Sequence, residues 1–384
     1  MRRLLLLAVS VAALPDLLGA QSSQFGVNGL GFPGRQVSAR ASATGGGFGF
    51  FDPASGLNPA ALHEHGVLTA SFTAVQNYRS STIGSQSESG RDMRFPQLLI
   101  GGPVRGSRLA LGASFSTYTD RDFAIASADT VLLRGVLVPV ADTLTSGGGI
   151  SDLGLNGAWR APGWVFGVGL HIITGSTRNE VRRTFEDTAY APVRDQAEVS
   201  YAGVGVSVGL MRALGRGLTA SAVFRLDGDV SVERDSTRVG TVDLPIALGA
   251  GLRWRASPRI DLATQALTRR WGSADADLRA LGGTGARNTI ELSAGAELVR
   301  NPRRPQQRPL RLGARFATLP FPVESGAQPR EFGLALGTGL RFAQDRAGLD
   351  HAGIDLSIER TWRSADGGFS EGAWLVGIGI LVRP

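Results

Sequence analysis

The feature that most restricts this chain is a two-residue alternation sustained through most of its length. Phe332, Leu334, Leu336, Thr338, Leu340 and Phe342 interleave with Gly333, Ala335, Gly337, Gly339 and Arg341. Successive side chains of a strand point to opposite faces, so such a run meets an apolar environment on one side and a tight, polar one on the other. The pattern returns from Val204 to Leu210, Ile246 to Trp254, Ile290 to Leu298 and Trp374 to Val382. Helical spacing fits none of these runs.

Extended along the chain, the alternation gives about 14 segments long enough for tilted strands to cross a bilayer. They fall near 66–80, 91–103, 107–119, 150–160, 164–185, 197–214, 218–230, 240–256, 259–272, 288–300, 310–320, 331–343, 349–363 and 371–383. Tight connections at 105–106, 161–163, 215–217, 257–258 and 344–348 interleave with longer polar ones near 81–90, 120–149, 186–196, 273–287 and 321–330. The 301–309 connection belongs with the tight set but is longer. The fold class predicted is therefore all-β, a transmembrane antiparallel β-barrel of about 14 strands. A soluble sandwich or propeller would also alternate, but its wet face would be rich in Lys, Glu and Thr. Here that face carries Gly, Ala and Ser with isolated charges, in a chain of 384 residues with 53 Gly. Trp159, Trp164, Trp254, Trp271, Trp362 and Trp374 lie near predicted strand ends, as interfacial anchors would.

Composition closes other routes. All 40 basic residues are Arg and they are scattered, so the net charge of +7 does not mark a nucleic-acid partner. With no Cys there is no disulfide, thiolate metal site or catalytic thiol. No cofactor or metal is expected. Arg2 and Arg3, then an apolar stretch from Leu4 to Leu14 and a small-residue exit at Gly19-Ala20, read as an export signal over 1–20. Residues 21–65 do not alternate and are rich in Gly and Phe; they read as an N-terminal plug for the barrel of residues 66–384.

The motif Asp52-Pro53-Ala54-Ser55-Gly56-Leu57-Asn58-Pro59-Ala60-Ala61-Leu62, placed between that segment and the first strand, resembles the N-terminal hatch of the FadL superfamily of outer-membrane transporters for hydrophobic compounds. Asn58-Pro59-Ala60 carries the likeness. The tail, with Arg311-Leu312-Gly313-Ala314-Arg315-Phe316, is similar to the PorV-like branch. Ala61 stands where transporters of the family commonly have Gly, and the last residue here is Pro384 rather than an aromatic. The resemblance implies an outer-membrane location in a Gram-negative-type envelope and contact with outer-membrane lipids. It also implies passive uptake of hydrophobic or amphiphilic molecules such as long-chain fatty acids. The PorV-like branch implies instead a platform or shuttle for a secreted-protein partner.

Charges on the small-residue face include Arg225, Arg253, Arg255, Asp261, Glu291, Glu297, Arg311, Arg315, Arg341, Asp355 and Glu359. Unpaired in a closed lumen each would be costly, so inter-strand ion pairs are expected. Ligand-binding candidates are Phe48, Phe50, Phe51, Leu57, Asn58 and Pro59 in the plug, with Arg253, Arg311, Arg315 and Arg341 as partners for an anionic head group. Gly205-Val206-Ser207-Val208-Gly209 has the spacing of a hydrolase nucleophile elbow, with His351 downstream. An elbow needs a strained strand-to-helix turn, whereas this match lies inside an alternating strand, so Ser207 reads as a lumen hydroxyl and no enzyme is predicted. His63, Glu64 and His65, and Asp227, Asp229 and Glu233, are weak cation-site patterns that read as solvated loops.

Overall fold

The computed structural model describes residues 23–384 except 85, 188, 304–306, 324–325 and 345–349. The export signal expected over 1–20 lies outside the described residues. The alternating segments form the strands β1 (Thr69–Ile83), β2 (Gln86–Pro103), β3 (Leu109–Asp120), β4 (Val136–Ala161), β5 (Trp164–Phe185) and β6 (Val193–Gly215). These are followed by β7 (Leu218–Asp227, continued by Asp229–Arg234), β8 (Thr237–Asp243, continued by Ile246–Ser257), β9 (Ile260–Arg269) and β10 (Thr289–Leu298). The last four are β11 (Leu310–Thr318), β12 (Arg330–Gln344), β13 (Asp350–Ala365) and β14 (Phe369–Val382). Each strand pairs with its sequence neighbours, and β14 pairs with β1 from Phe369↔Ile83 to Val382↔Ala70. This closes a 14-strand antiparallel barrel with no free edge.

Two connections expected to be loops are paired instead. β1 and β2 stay in register as far as Ile83↔Gln86, so most of 81–90 is strand. Within 120–149, Phe123–Leu133 pairs with the first half of β4, from Phe123↔Ser146 to Leu133↔Val136, forming a ribbon beyond the wall. The short turn expected at 344–348 lies almost wholly outside the described residues. The connection between β9 and β10 holds the 3-10 turn Trp271–Ala274 and the helix Asp275–Ala280, which pack over the long-loop end of the barrel.

Gly228 breaks the alternation of β7. Before it Gly205 pairs with Asp227, and after it Ala202 pairs with Ser231, so the strand gains one residue against β6 and its faces exchange. Asp227 is consequently buried in the lumen, whereas Asp229 and Glu233 are exposed and Val230 and Val232 point inward. The proposed acidic set is thus divided between the two faces.

The outward face is apolar along strand after strand, with Leu98, Ile100, Val168, Leu170, Val204 and Leu334 all exposed. A continuous apolar belt of this extent is stable against hydrocarbon, not water. Trp159, Trp254, Trp362 and Trp374 stand exposed on it, and Arg360 lies over the last two rings at 5.4 and 5.2 Å. Trp271 departs from the expected anchoring role. It is buried with Tyr118 and Phe321, because the chain turns inward after β9.

Residues 23–65 lie inside the barrel and run its length. At the long-loop rim Ser23 donates to Glu371, and the Gln24 amide donates to the Ser370 carbonyl. At the short-turn rim His63 bonds the Arg108 carbonyl and Glu64 pairs with Arg160. Between these ends Ser38 caps the helix Ala39–Ser42 and Asn58 caps the 3-10 turn Pro59–Glu64, each side chain accepting from a backbone N–H. An elbow at Gly45 and Gly46, with φ of +62° and +94°, uses conformations that L side chains rarely adopt. Glycines on the wall make room for it: a Cβ at Gly313 would overlap the Thr44 backbone, and one at Gly167 would overlap that of Ala60.

Candidate functional site

The inner segment is fastened by charge. Arg35 pairs with Glu359 at 2.7 Å and Arg40 with Glu297 at 2.6 Å. Asp52 adds a second carboxylate 3.9 Å from Arg40. Wall residues continue the ladder. Arg311, with no exposed surface, bridges Glu297 at 3.1 Å and Asp355 at 2.6 Å; Arg341 joins Asp355 at 2.9 Å; Arg253 grips Asp261 with two nitrogens. Arg315 pairs with Glu331 and lies near Glu291 and Glu359. The expected inter-strand ion pairs are therefore present, and Arg311 and Arg315 are consumed by them.

Phe48, Phe50 and Phe51 are wholly buried between the inner segment and the wall, packed with Leu57, Ala60, Leu62, Val223 and Leu267. Phe48 lies between the guanidinium groups of Arg40 and Arg253, at 5.8 and 5.7 Å. Asn58 uses its whole amide: Oδ1 accepts from the Ala60 N–H, while Nδ2 donates to the Phe50 carbonyl at 2.9 Å and to Ser221 at 3.0 Å. Pro59 starts the turn where its missing N–H costs nothing.

Among the described residues at least three cavities lie between the inner segment and the wall; one, of about 90 Å³, is lined by Phe32, Arg35, Asn77, Arg315 and Glu331, and two others, an upper and a lower, meet further candidates. The upper, of about 50 Å³, is lined by Phe50, Leu57, Val223, Leu267, Trp271 and, at one side, His171 and Ser207. The lower, of about 250 Å³, is polar and opens near the short turns; Phe51, Arg253 and Arg341 line it with Arg255, His65 and Asp355. Thus Phe50 and Leu57 meet the upper cavity, Phe51, Arg253 and Arg341 the lower, while Asn58 and Pro59 brace the turn and Phe48 the packing. Arg311 reaches neither.

Sequence reasoning missed the chain of polar groups beside the upper cavity. Asp152 on β4, His171 on β5 and Ser207 on β6 form a slanted row across the wall, each buried. His171 Nδ1 lies 2.9 Å from Asp152 and Nε2 lies 2.9 Å from Ser207 Oγ. His351, the histidine noted downstream of the elbow spacing, sits instead near the start of β13 against the Arg383 carbonyl. The row continues through Arg225 to Asp227 and Tyr118, and Gln36 of the inner segment bonds Asp152 at 2.7 Å. Among the described residues no group of three or more His, Asp and Glu is arranged for a metal ion. His65 is buried while Glu64 faces Arg160.

Solved structures share this closed 14-strand antiparallel barrel. A FadL homologue of Pseudomonas aeruginosa superposes with a TM-score of 0.63 at 12% identity, covering 92% of this chain and 99% of that one. The CymD monoaromatic hydrocarbon channel gives 0.60 at 16% identity, covering 91% and 97%. The Pseudomonas putida toluene transporter TodX gives 0.54 at 12% identity, covering 91% and 99%. No protein-family model and no curated protein matches the sequence.

Proposed function

We propose that the protein is an outer-membrane barrel, set among outer-membrane lipids, that passes small hydrophobic molecules passively, with residues 23–65 as its plug. The observation that carries this reading is the upper cavity, where the plug residues Phe50 and Leu57 with Val223, Leu267 and Trp271 form an apolar wall opposite His171, Ser207, Arg225 and Asp227. At about 50 Å³ it holds little as it stands, so passage requires the plug to shift. Phe50 and Leu57 are then the side chains a ligand displaces, and Asn58 and Pro59 fix the turn about which the plug moves. Support comes also from the apolar outer belt and from the fold shared with the FadL homologue and the toluene and monoaromatic hydrocarbon channels. For a long-chain fatty acid the lower cavity sets Phe51 beside Arg253 and Arg341, where a carboxylate competes with Asp261 and Asp355 for the guanidinium groups.

The test is uptake of radiolabelled toluene and oleate into vesicles carrying the purified protein, with native mass spectrometry for co-purified amphiphiles. Uptake above that of empty vesicles, lowered in a Leu57→Trp variant that fills the upper cavity, is the expected result. Wild-type uptake no faster than through protein-free membrane refutes the reading.

A further inference from the structure

We propose that Ser207, His171 and Asp152 form a nucleophilic centre in the lumen that cleaves small, short-chain esters entering the upper cavity. The proposal is independent of the transport reading and rests on three observations.

The first is geometry. In register, His171 faces Gly205 and Gly154, which places it diagonally from Ser207 on β6 and from Asp152 on β4. An imidazole spans that diagonal distance, and its two nitrogens meet Ser207 Oγ and Asp152 Oδ1 at 2.9 Å each. With Asp152 accepting at Nδ1, the free lone pair is on Nε2, where a serine proton can be taken up. The second is that Asp152 is fixed by two donors besides His171. Arg225 bonds it at 2.7 Å and Gln36 at 2.7 Å, so the contact orients the ring. The third is room and a spare donor. Gly169 is the direct partner of Ser207 on β5, and a Cβ there would overlap Oγ. On the other side Arg225 is Ser207's partner on β7; its Nη1 and Nε are bonded, but its buried Nη2 has no hydrogen-bond partner. Ser207, His171 and Arg225 all line the cavity.

The chemistry balances as a hydrolysis. Ser207 Oγ attacks the ester carbonyl carbon as its proton passes to His171 Nε2, and the carbonyl oxygen gains the negative charge beside Arg225 Nη2. Collapse breaks the ester C–O bond, and the leaving oxygen takes the proton from His171 and departs as an alcohol. Water then adds to the acyl-serine, again through His171, and releases the carboxylic acid with Ser207 restored. Ser207 lies within a regular strand whose backbone N–H groups serve the sheet, so oxyanion stabilisation falls to a side chain. Deacylation is accordingly slow, and the covalent adduct is the signal to seek.

The experiment treats detergent-purified protein with diisopropyl fluorophosphate and, separately, 4-nitrophenyl acetate, reading intact mass, the modified peptide and nitrophenol release. Expected is one adduct on Ser207, absent in Ser207→Ala and formed roughly 10²-fold more slowly in His171→Gln. Retained heat-modifiable migration shows that each variant is a folded barrel. A Leu57→Ala variant, which widens the cavity, is run alongside so that closed access is not mistaken for lack of reactivity. No adduct in either wild type or Leu57→Ala, an adduct elsewhere, or equal rates in His171→Gln overturns the proposal.

Discussion

Gly295→Ala probes the fit between plug and wall. An added Cβ would stand 2.5 Å from the Thr44 carbonyl oxygen and 2.6 Å from its Cβ, where ordinary contacts begin near 3.4 Å, so the elbow must retreat by close to 1 Å. It has little freedom to do so. Gly45 and Gly46 hold left-handed conformations there, Gly46 N–H bonds the Ala41 carbonyl at 2.8 Å, and Gly313 crowds the same backbone from the adjacent strand. Because the obstacle is main chain and not a flexible side chain, the cost is about 2 kcal/mol, within the usual overpacking range. That is roughly a thirtyfold shift toward a displaced plug. The barrel itself has no reason to weaken, since the new methyl points into the lumen. Single-channel conductance in planar bilayers, with protease cleavage of residues 23–65, reads the shift directly. Gly157→Ala is the control, its nearest atoms being at 3.6 and 3.9 Å. The reasoning fails if Gly295→Ala conducts no more than Gly157→Ala, or if its effect persists undiminished once residues 23–58 are deleted.

Other expectations follow from the same contacts. Arg311→Met leaves the buried Glu297 and Asp355 short of a cation and should cost about 3–5 kcal/mol in urea-induced unfolding. Asn58→Ala removes the cap of the Pro59–Glu64 turn and the bonds to Phe50 and Ser221; a loss of about 2 kcal/mol should appear as faster proteolysis of the plug with unchanged barrel migration. His65 is held neutral: burial, aided by Arg383 and opposed by Asp52, lowers its pKa from 6.5 to about 4. A base with a depressed folded pKa stabilises the fold fully above its unfolded value and loses that contribution as pH falls from 6.5 toward 4. Plug protection should therefore decline by about 3 kcal/mol between pH 7 and pH 4, and a His65→Gln variant should not show the decline.

The wall was legible because its physics is local. Alternation marks a strand wherever it occurs, and small residues mark the side facing a crowded lumen, so Phe332–Arg341 reads correctly without knowledge of any partner. What escaped depends on register. Asp152, His171 and Ser207 are separated by 19 and 36 residues, and only the stagger of β4, β5 and β6 aligns them. The sequence offered His351 equally well. The divided acidic set had a signal in Gly228, since a glycine interrupting an alternating strand marks a bulge. Trp271 had none, because the inward turn after β9 is set by packing against Tyr118 and Phe321.

The plug's course has a consequence for assembly. Ser23 is tied to the long-loop rim and the other end of the segment to the short-turn rim, directly before β1, the strand on which β14 closes. A segment spanning the whole interior cannot be threaded readily into a finished cylinder whose walls touch it on all sides. It must lie across the open sheet before the last strand meets the first. The closing seam is then a kinetic checkpoint: a chain whose inner segment settles slowly, as in Asn58→Ala, should close β14 onto β1 late and still reach the same finished barrel.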